Sequence, residues 1–226
     1  MVVLPFTMEL AQLSAHDFMQ QVLMEKLNVK LLLLGYDNRF GRGRTEGFED
    51  YVRYGKEMGM QVLQGFPLQV DGYSEPVSSS LIRRLIADEG RVDEASELLM
   101  EEYSLKGTVM PGEHIGHTLG FPTANLEPED DGKLIPAPGV YAVWAILGYA
   151  LIKPAMMNIG TRPTFNGQKQ TLEVNIFDFE GDLYGKRIVV QFIERIRDER
   201  RFDSPEALKA QLEEDKKQVE QILNRE

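Results

Sequence analysis

The chain has 226 residues, 42% of them hydrophobic and 27% charged, a composition that is typical of a folded globular protein and excludes a disordered one. Its formal net charge is −11, and without a long Lys/Arg block it is expected to bind neither nucleic acid nor a membrane surface. It contains no cysteine, which excludes disulfides and thiolate chemistry and favours a cytoplasmic location.

The first hundred residues alternate between strand and helix patterns. Residues 2–6 predict a short buried strand, and Ser14 with Asp17 forms a capping box ahead of an amphipathic helix. The apolar run Leu31–Leu34 is typical of a strand buried on both faces of a parallel sheet. The further predicted elements are a helix over 46–58, a strand over 61–66, and helices over 81–90 and 92–100. This order predicts a doubly wound α/β region.

After residue 102 the periodicity changes to that of strands. The predicted strands are 104–110, 140–147, 151–158, 171–179 and 187–196. Consecutive strands without crossover helices favour an antiparallel sheet, and closing it into a barrel removes its edges. A final helix begins after a cap at Asp203 or Ser204. We therefore predict two domains, residues 1–101 and 102–226.

The segment 112–125 combines glycines with a polar tip that Pro122 stiffens. Glycines let backbone N–H groups approach phosphate oxygens, and a threonine hydroxyl can bind Mg²⁺. The residues alone leave an alternative open, namely a glycine-rich hairpin whose Thr123 and Asn125 satisfy their own turn.

Four segments together resemble the riboflavin kinase family. Gly116 followed by residues 120–125 is similar to that family's phosphate and Mg²⁺ loop. Residues 158–165, 171–174 and 182–185 follow in the family's order. The resemblance implies a six-stranded antiparallel barrel that binds ATP, Mg²⁺ and riboflavin and releases FMN.

The resemblance also implies roles for individual residues. Glu173 would be the catalytic base for the ribityl 5′-hydroxyl, and Thr123 and Asn125 would hold the metal. Outside the family context, Glu173 is better explained as a solvent-facing strand residue, and the resemblance reverses this interpretation. His117 departs from the family's usual Arg or Lys. ATP and its phosphates are assigned to Gly112, Gly116, His117, Gly120, Thr123 and Asn125, and the flavin to Arg162, Phe165, Arg197 and Asp198.

Alternatives stay open for the flavin candidates. Arg162 could simply brace a turn, and the interleaved charges around Arg197 and Asp198 also fit a solvated loop.

The first hundred residues resemble the latter part of the FAD synthetase module of bifunctional enzymes, through residues 35–41 and 77–83. Asp37, Ser79 and Arg83 are its candidate residues, although serines at a helix start also act as plain N-caps. The family's adenylyl-transfer strand and helix are not found in this sequence. We therefore expect FMN synthesis without FAD synthesis, and a homodimer through this half is a hypothesis.

Two rival functions remain open on the sequence. One is a non-catalytic barrel that binds FMN as a cofactor, against which the Thr123 and Asn125 loop argues. The other is an interaction protein in which the α/β half regulates a partner.

Overall fold

The computed structural model describes residues 2–111, 120–148, 151–164 and 167–225, with side chains at all of these except 162–164 and 167–169. The chain forms two compact units, Met1–Val77 and Ser78–Glu226. The sequence places the boundary later, at 101/102, because periodicity shows where the strands begin. Packing gives the earlier division, since helices that precede the strands also contact the barrel; the N–H of Ala137, for example, donates to the carbonyl of Ile86 at 2.9 Å.

The first unit contains helices and a two-stranded parallel sheet. Strand β1 (Leu31–Leu34) pairs with β2 (Gln61–Gln64). The helices are α1 (Met8–Gln12), α2 (Ala15–Asp17), which continues as a wider π-helical stretch (Phe18–Lys26), and α3 (Phe48–Met58), with a 3₁₀ turn at Arg42–Arg44. The first unit thus confirms the predicted α/β character, although its sheet has only two strands.

Local signals explain where these helices begin and end. Ser14 Oγ accepts a hydrogen bond from the N–H of Asp17 at 3.0 Å, as the capping box predicts. Gly59 ends α3 in the left-handed conformation, with φ 69°. The predicted strand at residues 2–6 is wrong, because this segment is exposed and forms no ladder. Pro5 also removes one of its few backbone donors.

Among its described residues, the second unit contains six strands and three helices. The strands are β3 (Ser104–Met110), β4 (Ala124–Pro128), β5 (Gly139–Leu147), β6 (Leu151–Thr164), β7 (Gly167–Ile176) and β8 (Arg187–Arg197). They form a closed barrel in the order β3-β4-β7-β6-β5-β8, with antiparallel pairing throughout. The predicted six-stranded antiparallel barrel is confirmed.

Serine caps start two of the helices in this unit. Ser78 Oγ accepts from the N–H of Leu81 at 3.2 Å, and Ser204 Oγ accepts from the N–H of Ala207 at 3.1 Å. The helices are α4 (Ser79–Arg83), which continues as a π-helical stretch (Arg84–Glu89), α5 (Val92–Leu99) and α6 (Pro205–Leu223). Within the described ranges, no helix has the length and apolar character needed to cross a bilayer.

The C-terminal helix covers part of the barrel's outer surface. Ala142 of β5 and Met156 of β6 pack against Val219 of α6. Since neighbouring residues of a strand point to opposite faces, Tyr141 and Met157 face the interior, where both are 0% exposed. This alternation identifies which side chains of each strand lie on the outer face.

Candidate functional site

Three polar side chains lie next to one another on the outer face of the barrel. Asn125 of β4 lies opposite Glu173 of β7, and Glu173 lies opposite Asn158 of β6. Side chains that face each other across antiparallel strands share one face of the sheet, with Cβ atoms about 5 Å apart. Glu173 alternates with Leu172 and Val174, which are buried. The result is a carboxylate flanked by two amides, all half-buried.

Asn175 fixes the segment that leads into β4. Its Nδ2 donates to the carbonyl oxygen of Pro122 at 2.7 Å, and the residue is 5% exposed. Gly120 begins the segment with φ 82°, a conformation that glycine adopts without strain. Thr123 is thereby held immediately before β4. Sequence reasoning did not single out Asn175; its place on the outward alternation with Glu173 was the available signal.

Two clefts flank the short ladder between β4 and β7. The first, of about 520 Å³, is lined by Thr123 and by the turn that contains Asp182. The second, of about 700 Å³, is lined by Asn125 and Thr171. The ladder between these strands has only two residue pairs, one of which is Asn125 with Glu173. Asn125 of this pair lines the second cleft, and Thr123, two residues earlier, lines the first.

The first cleft has an acidic lining. Its described lining includes Glu180 and Asp182 and contains no Lys or Arg. Asp182 Oδ1 accepts from the N–H of Tyr184 at 2.9 Å, which shapes the turn. Phosphate groups placed here would depend on a bound cation and on backbone N–H groups for charge neutralisation.

Thr123 lines this cleft, and Asn125 follows two residues later with a second neutral oxygen donor. Thr123, with its hydroxyl, comes immediately before β4, and Asn125, with its amide, is the second residue of that strand. Mg²⁺ needs few protein ligands when phosphate and water oxygens complete its octahedron. This donor set fits a divalent metal that is held jointly with phosphate oxygens.

Five predicted site residues lie outside the part of the chain whose side chains the structure describes. Arg162 contributes its backbone to β6, opposite Lys169 of β7, but its side chain is not among those described. The other four belong to segments 112–119 and 165–166. Those four are Gly112, Gly116, His117 and Phe165. The roles predicted for all five stay predictions.

Arg197 and Asp198 form ion pairs at the junction of β8 and α6. Arg197 binds both carboxylate oxygens of Asp215, with Nε at 2.9 and 3.1 Å and Nη2 at 2.7 Å. Gln211 Nε2 also donates to Asp215, at 2.7 Å. Asp198 lies 2.8 Å from Arg195 Nη2. These contacts anchor the junction, and the flavin-binding role predicted for Arg197 and Asp198 stays a prediction.

Sequence reasoning missed Asp215, whose side chain is 0% exposed. Leu212 and Val219 belong to one apolar stripe of α6, and Asp215 occupies the same stripe three residues after the first and four before the second. A carboxylate on a buried helix face requires a cationic partner. That pattern was the available signal.

Arg195 was also missed, and two glycines make room for it. A Cβ at Gly90 would lie 2.7 Å from Arg195 Cδ, and one at Gly139 would lie 2.6 Å from its Nε. Its Nη2 donates to the carbonyl of Pro138. Next to it, burial raises the pKa of Tyr141 to about 12. Through these contacts, Arg195 of β8 connects the residue that ends the π-helical stretch, Gly90, with the start of β5 at Gly139.

The adenylyltransferase-like candidates belong to different units. Asp37 is exposed in the turn after β1, and Ser79 and Arg83 are exposed on α4. The N-cap of α4 is Ser78, so Ser79 is not needed for capping. The joint role predicted for these three residues stays a prediction.

Comparisons with known proteins give two family matches. The riboflavin kinase family matches residues 99–223, and the FAD synthetase family matches residues 1–81. The bifunctional riboflavin kinase/FMN adenylyltransferase of Escherichia coli K12 is 38% identical over 211 residues, which cover 93% of this chain and 66% of that protein. The protein of the same name from Haemophilus influenzae is 35% identical over 223 residues, covering 99% and 71%.

A solved structure is also similar. A crystal structure titled as a macrolide-efflux protein from Streptococcus pneumoniae superposes with a TM-score of 0.85 at 34% identity, covering 95% of this chain and 67% of that one. The chain thus spans about two thirds of the length of the relatives that it matches.

Proposed function

We propose that this chain, which belongs to the riboflavin kinase family, transfers the γ-phosphate of ATP to the 5′-hydroxyl of riboflavin and produces FMN and ADP. The observation that carries this proposal is the register pairing of Glu173 with Asn125, two residues after Thr123. Transfer of a phosphoryl group to a hydroxyl needs an acceptor that orients the hydroxyl and ligands that hold the phosphates in line. This pairing brings both kinds of group together.

Glu173 is the residue that acts on the attacking hydroxyl. An ionised carboxylate only accepts hydrogen bonds, so one of its oxygens takes the hydroxyl proton. The new bond joins the substrate oxygen to the γ-phosphorus, while the bond from that phosphorus to the β-γ bridging oxygen breaks and ADP leaves. Because such transfers depend mainly on positioning, the rigid place of Glu173 in β7 is suited to this role.

Thr123 and Asn125 hold the phosphate end of the nucleotide. A divalent metal such as Mg²⁺, bound with the nucleotide, would neutralise charge on the β- and γ-phosphates. The Thr123 hydroxyl and the Asn125 amide oxygen are the protein ligands assigned to it. Neutralisation by a metal matters most in the first cleft, because its described lining has carboxylates but no cationic side chain.

We assign the first cleft to the nucleotide and the second to riboflavin. The first cleft contains Thr123 together with the turn at Asp182. The second contains Asn125 and Thr171, and Thr171 lies two residues before Glu173 on the same face of β7. A flavin in the second cleft could therefore extend its ribityl chain along β7 toward Glu173.

Purified protein incubated with riboflavin, ATP and Mg²⁺ tests the function, with riboflavin, FMN and FAD then separated by chromatography. We expect FMN that depends on both ATP and the metal. A protein that binds flavin tightly but forms no FMN would contradict the proposal and favour a flavin-binding module. The same chromatogram shows whether FAD is formed. That no FAD is formed stays a prediction.

We also propose, as a separate point, that the first unit forms a homodimer. The strand pattern predicted burial of β1 on both faces, yet Leu31 is 51% exposed and Leu33 67% exposed. Phe66, after β2, is 95% exposed. Light scattering on the wild type and on Leu33→Asp tests this: a dimer that Leu33→Asp dissociates supports it, and a monomeric wild type contradicts it. The cytoplasmic location stays a prediction.

A further inference from the structure

The segment 198–202, which we call the strap, joins β8 to α6 and is fixed to the barrel unit. Arg195 holds Asp198 at 2.8 Å. Arg197, just before the strap, is bound by the buried Asp215 of α6. Arg200 donates to Gln211 of α6. These contacts lie on both sides of the strap's second residue, Glu199, which is itself exposed.

Glu199 lies on Gly160 of β6. A Cβ built on Gly160 would lie only 2.5 Å from Glu199 Oε1 and 3.1 Å from Thr171 Oγ1. Gly160 is buried although it is on the outer face of its strand. The glycine thus leaves the space that the Glu199 carboxylate occupies, beside the hydroxyl of Thr171. None of the phosphotransfer roles assigned above uses this contact.

This carboxylate lies on the same face as Glu173 and close to it along the strands. Thr171 pairs with Gly160, and Glu173 pairs with Asn158. The two pairs are two residues apart, which corresponds to about 7 Å along an antiparallel strand. An extended ribityl chain covers such a distance. Thr171 also lines the second cleft, so Glu199 borders the path from that cleft to Glu173.

We propose that Glu199 is a further substrate-binding residue, which accepts hydrogen bonds from ribityl hydroxyls while the terminal hydroxyl is at Glu173. A carboxylate accepts hydrogen bonds and donates none, so it matches a chain of hydroxyl donors. The Thr171 hydroxyl beside it can both donate and accept. The inference rests on the proposed function, since it assumes that the polyol chain runs along β7.

Equilibrium binding of riboflavin in the presence of ADP and Mg²⁺, followed by flavin fluorescence, tests the role without turnover. Glu199→Ala is expected to weaken riboflavin binding about tenfold or more, because it removes charge-assisted hydrogen bonds. Binding of lumiflavin, which has a methyl group instead of the ribityl chain, should not change. Arg201→Ala, an exposed position in the same strap, is the control and should bind riboflavin like the wild type.

A second variant tests the geometry independently. Gly160→Ala places a methyl group where the Glu199 carboxylate lies, and this flexible side chain can move aside at little cost in stability. We expect weaker riboflavin binding in Gly160→Ala and no further loss when Glu199→Ala is added, because both changes remove the same interaction. Additive losses would contradict the proposed contact.

Other outcomes separate this inference from the proposed function. Riboflavin binding that Glu199→Ala leaves within twofold of wild type, or equal weakening for lumiflavin, overturns the ribityl contact. Weaker binding of Mg²⁺-ADP with unchanged riboflavin binding would make Glu199 a metal ligand and also overturn it. Riboflavin binding that depends on Glu199 without any FMN formation would contradict the kinase function alone.

Discussion

Removing the carboxylate of Asp215 is expected to destabilise the barrel unit strongly. Loss of one partner of a buried ion pair costs about 3–5 kcal/mol, because the other charge is left without compensation. The side chain of Arg197 keeps 18% exposure, so water can solvate part of its charge and we expect about 3 kcal/mol. For a unit of about 150 residues, this lowers the melting temperature by about 6–12 °C.

Trp144 provides a specific assay for this unit. It is the single tryptophan of the chain, and it packs against the core cluster that α6 covers. Its fluorescence on heating should show the full shift for Asp215→Ala. Lys216→Ala is the matched control on the same helix, because its pair with the exposed Asp178, at 3.3 Å, is worth at most about 1 kcal/mol. Equal shifts for the two variants would refute the reasoning.

Three further predictions follow from the described contacts. Thr123→Val should raise the Mg²⁺ concentration needed for half-maximal FMN formation about tenfold, and an unchanged midpoint would place the metal elsewhere. Burial raises the pKa of Tyr141 from 10 to about 12, so its neutral phenol stabilises the fold fully below pH 10 and less as the pH rises to 12. Denaturant titrations should therefore show that the wild type loses about 2–3 kcal/mol more over this interval than Tyr141→Phe, and parallel curves would contradict this. A chain that starts at Ser78 should melt cooperatively, whereas one that starts at Glu101 should not, because it lacks Leu85 and Val92, which are 1% and 0% exposed; equal melting would support a boundary at 101/102.

Five of the six barrel strands were predictable because they carry their own signals, whereas no strand was predicted from its pattern at β4 (Ala124–Pro128). Alternation of apolar and polar residues marks a strand whether or not its partners are known, and it placed Glu173 on the face opposite Leu172 and Val174 before any register was known. The order of the four motif segments supplied the rest of the fold. The prediction of a strand at residues 2–6 was wrong because β-propensity alone does not provide a pairing partner, and this segment pairs with no other strand.

The contacts that position the site were less accessible from the sequence. The register that puts Asn125, Glu173 and Asn158 in one row depends on the pairing of β4 with β7, although β5 and β6 lie between these two strands in the chain. The pairing of Arg197 with Asp215 depends on how α6 lies on the barrel. Charge patterning alone therefore could not distinguish this junction from a solvated loop.

The rate of FMN formation by Glu173→Gln tests the central claim most directly. The amide keeps the size of the side chain but cannot take the hydroxyl proton, so we predict a loss of about 10²- to 10⁴-fold in kcat. The affinity for ADP and the melting temperature that Trp144 fluorescence reports should stay at wild-type values. Glu213→Gln, at an exposed position of α6, should retain full activity. A Glu173→Gln enzyme within threefold of the wild-type rate would contradict the role of Glu173 as the base.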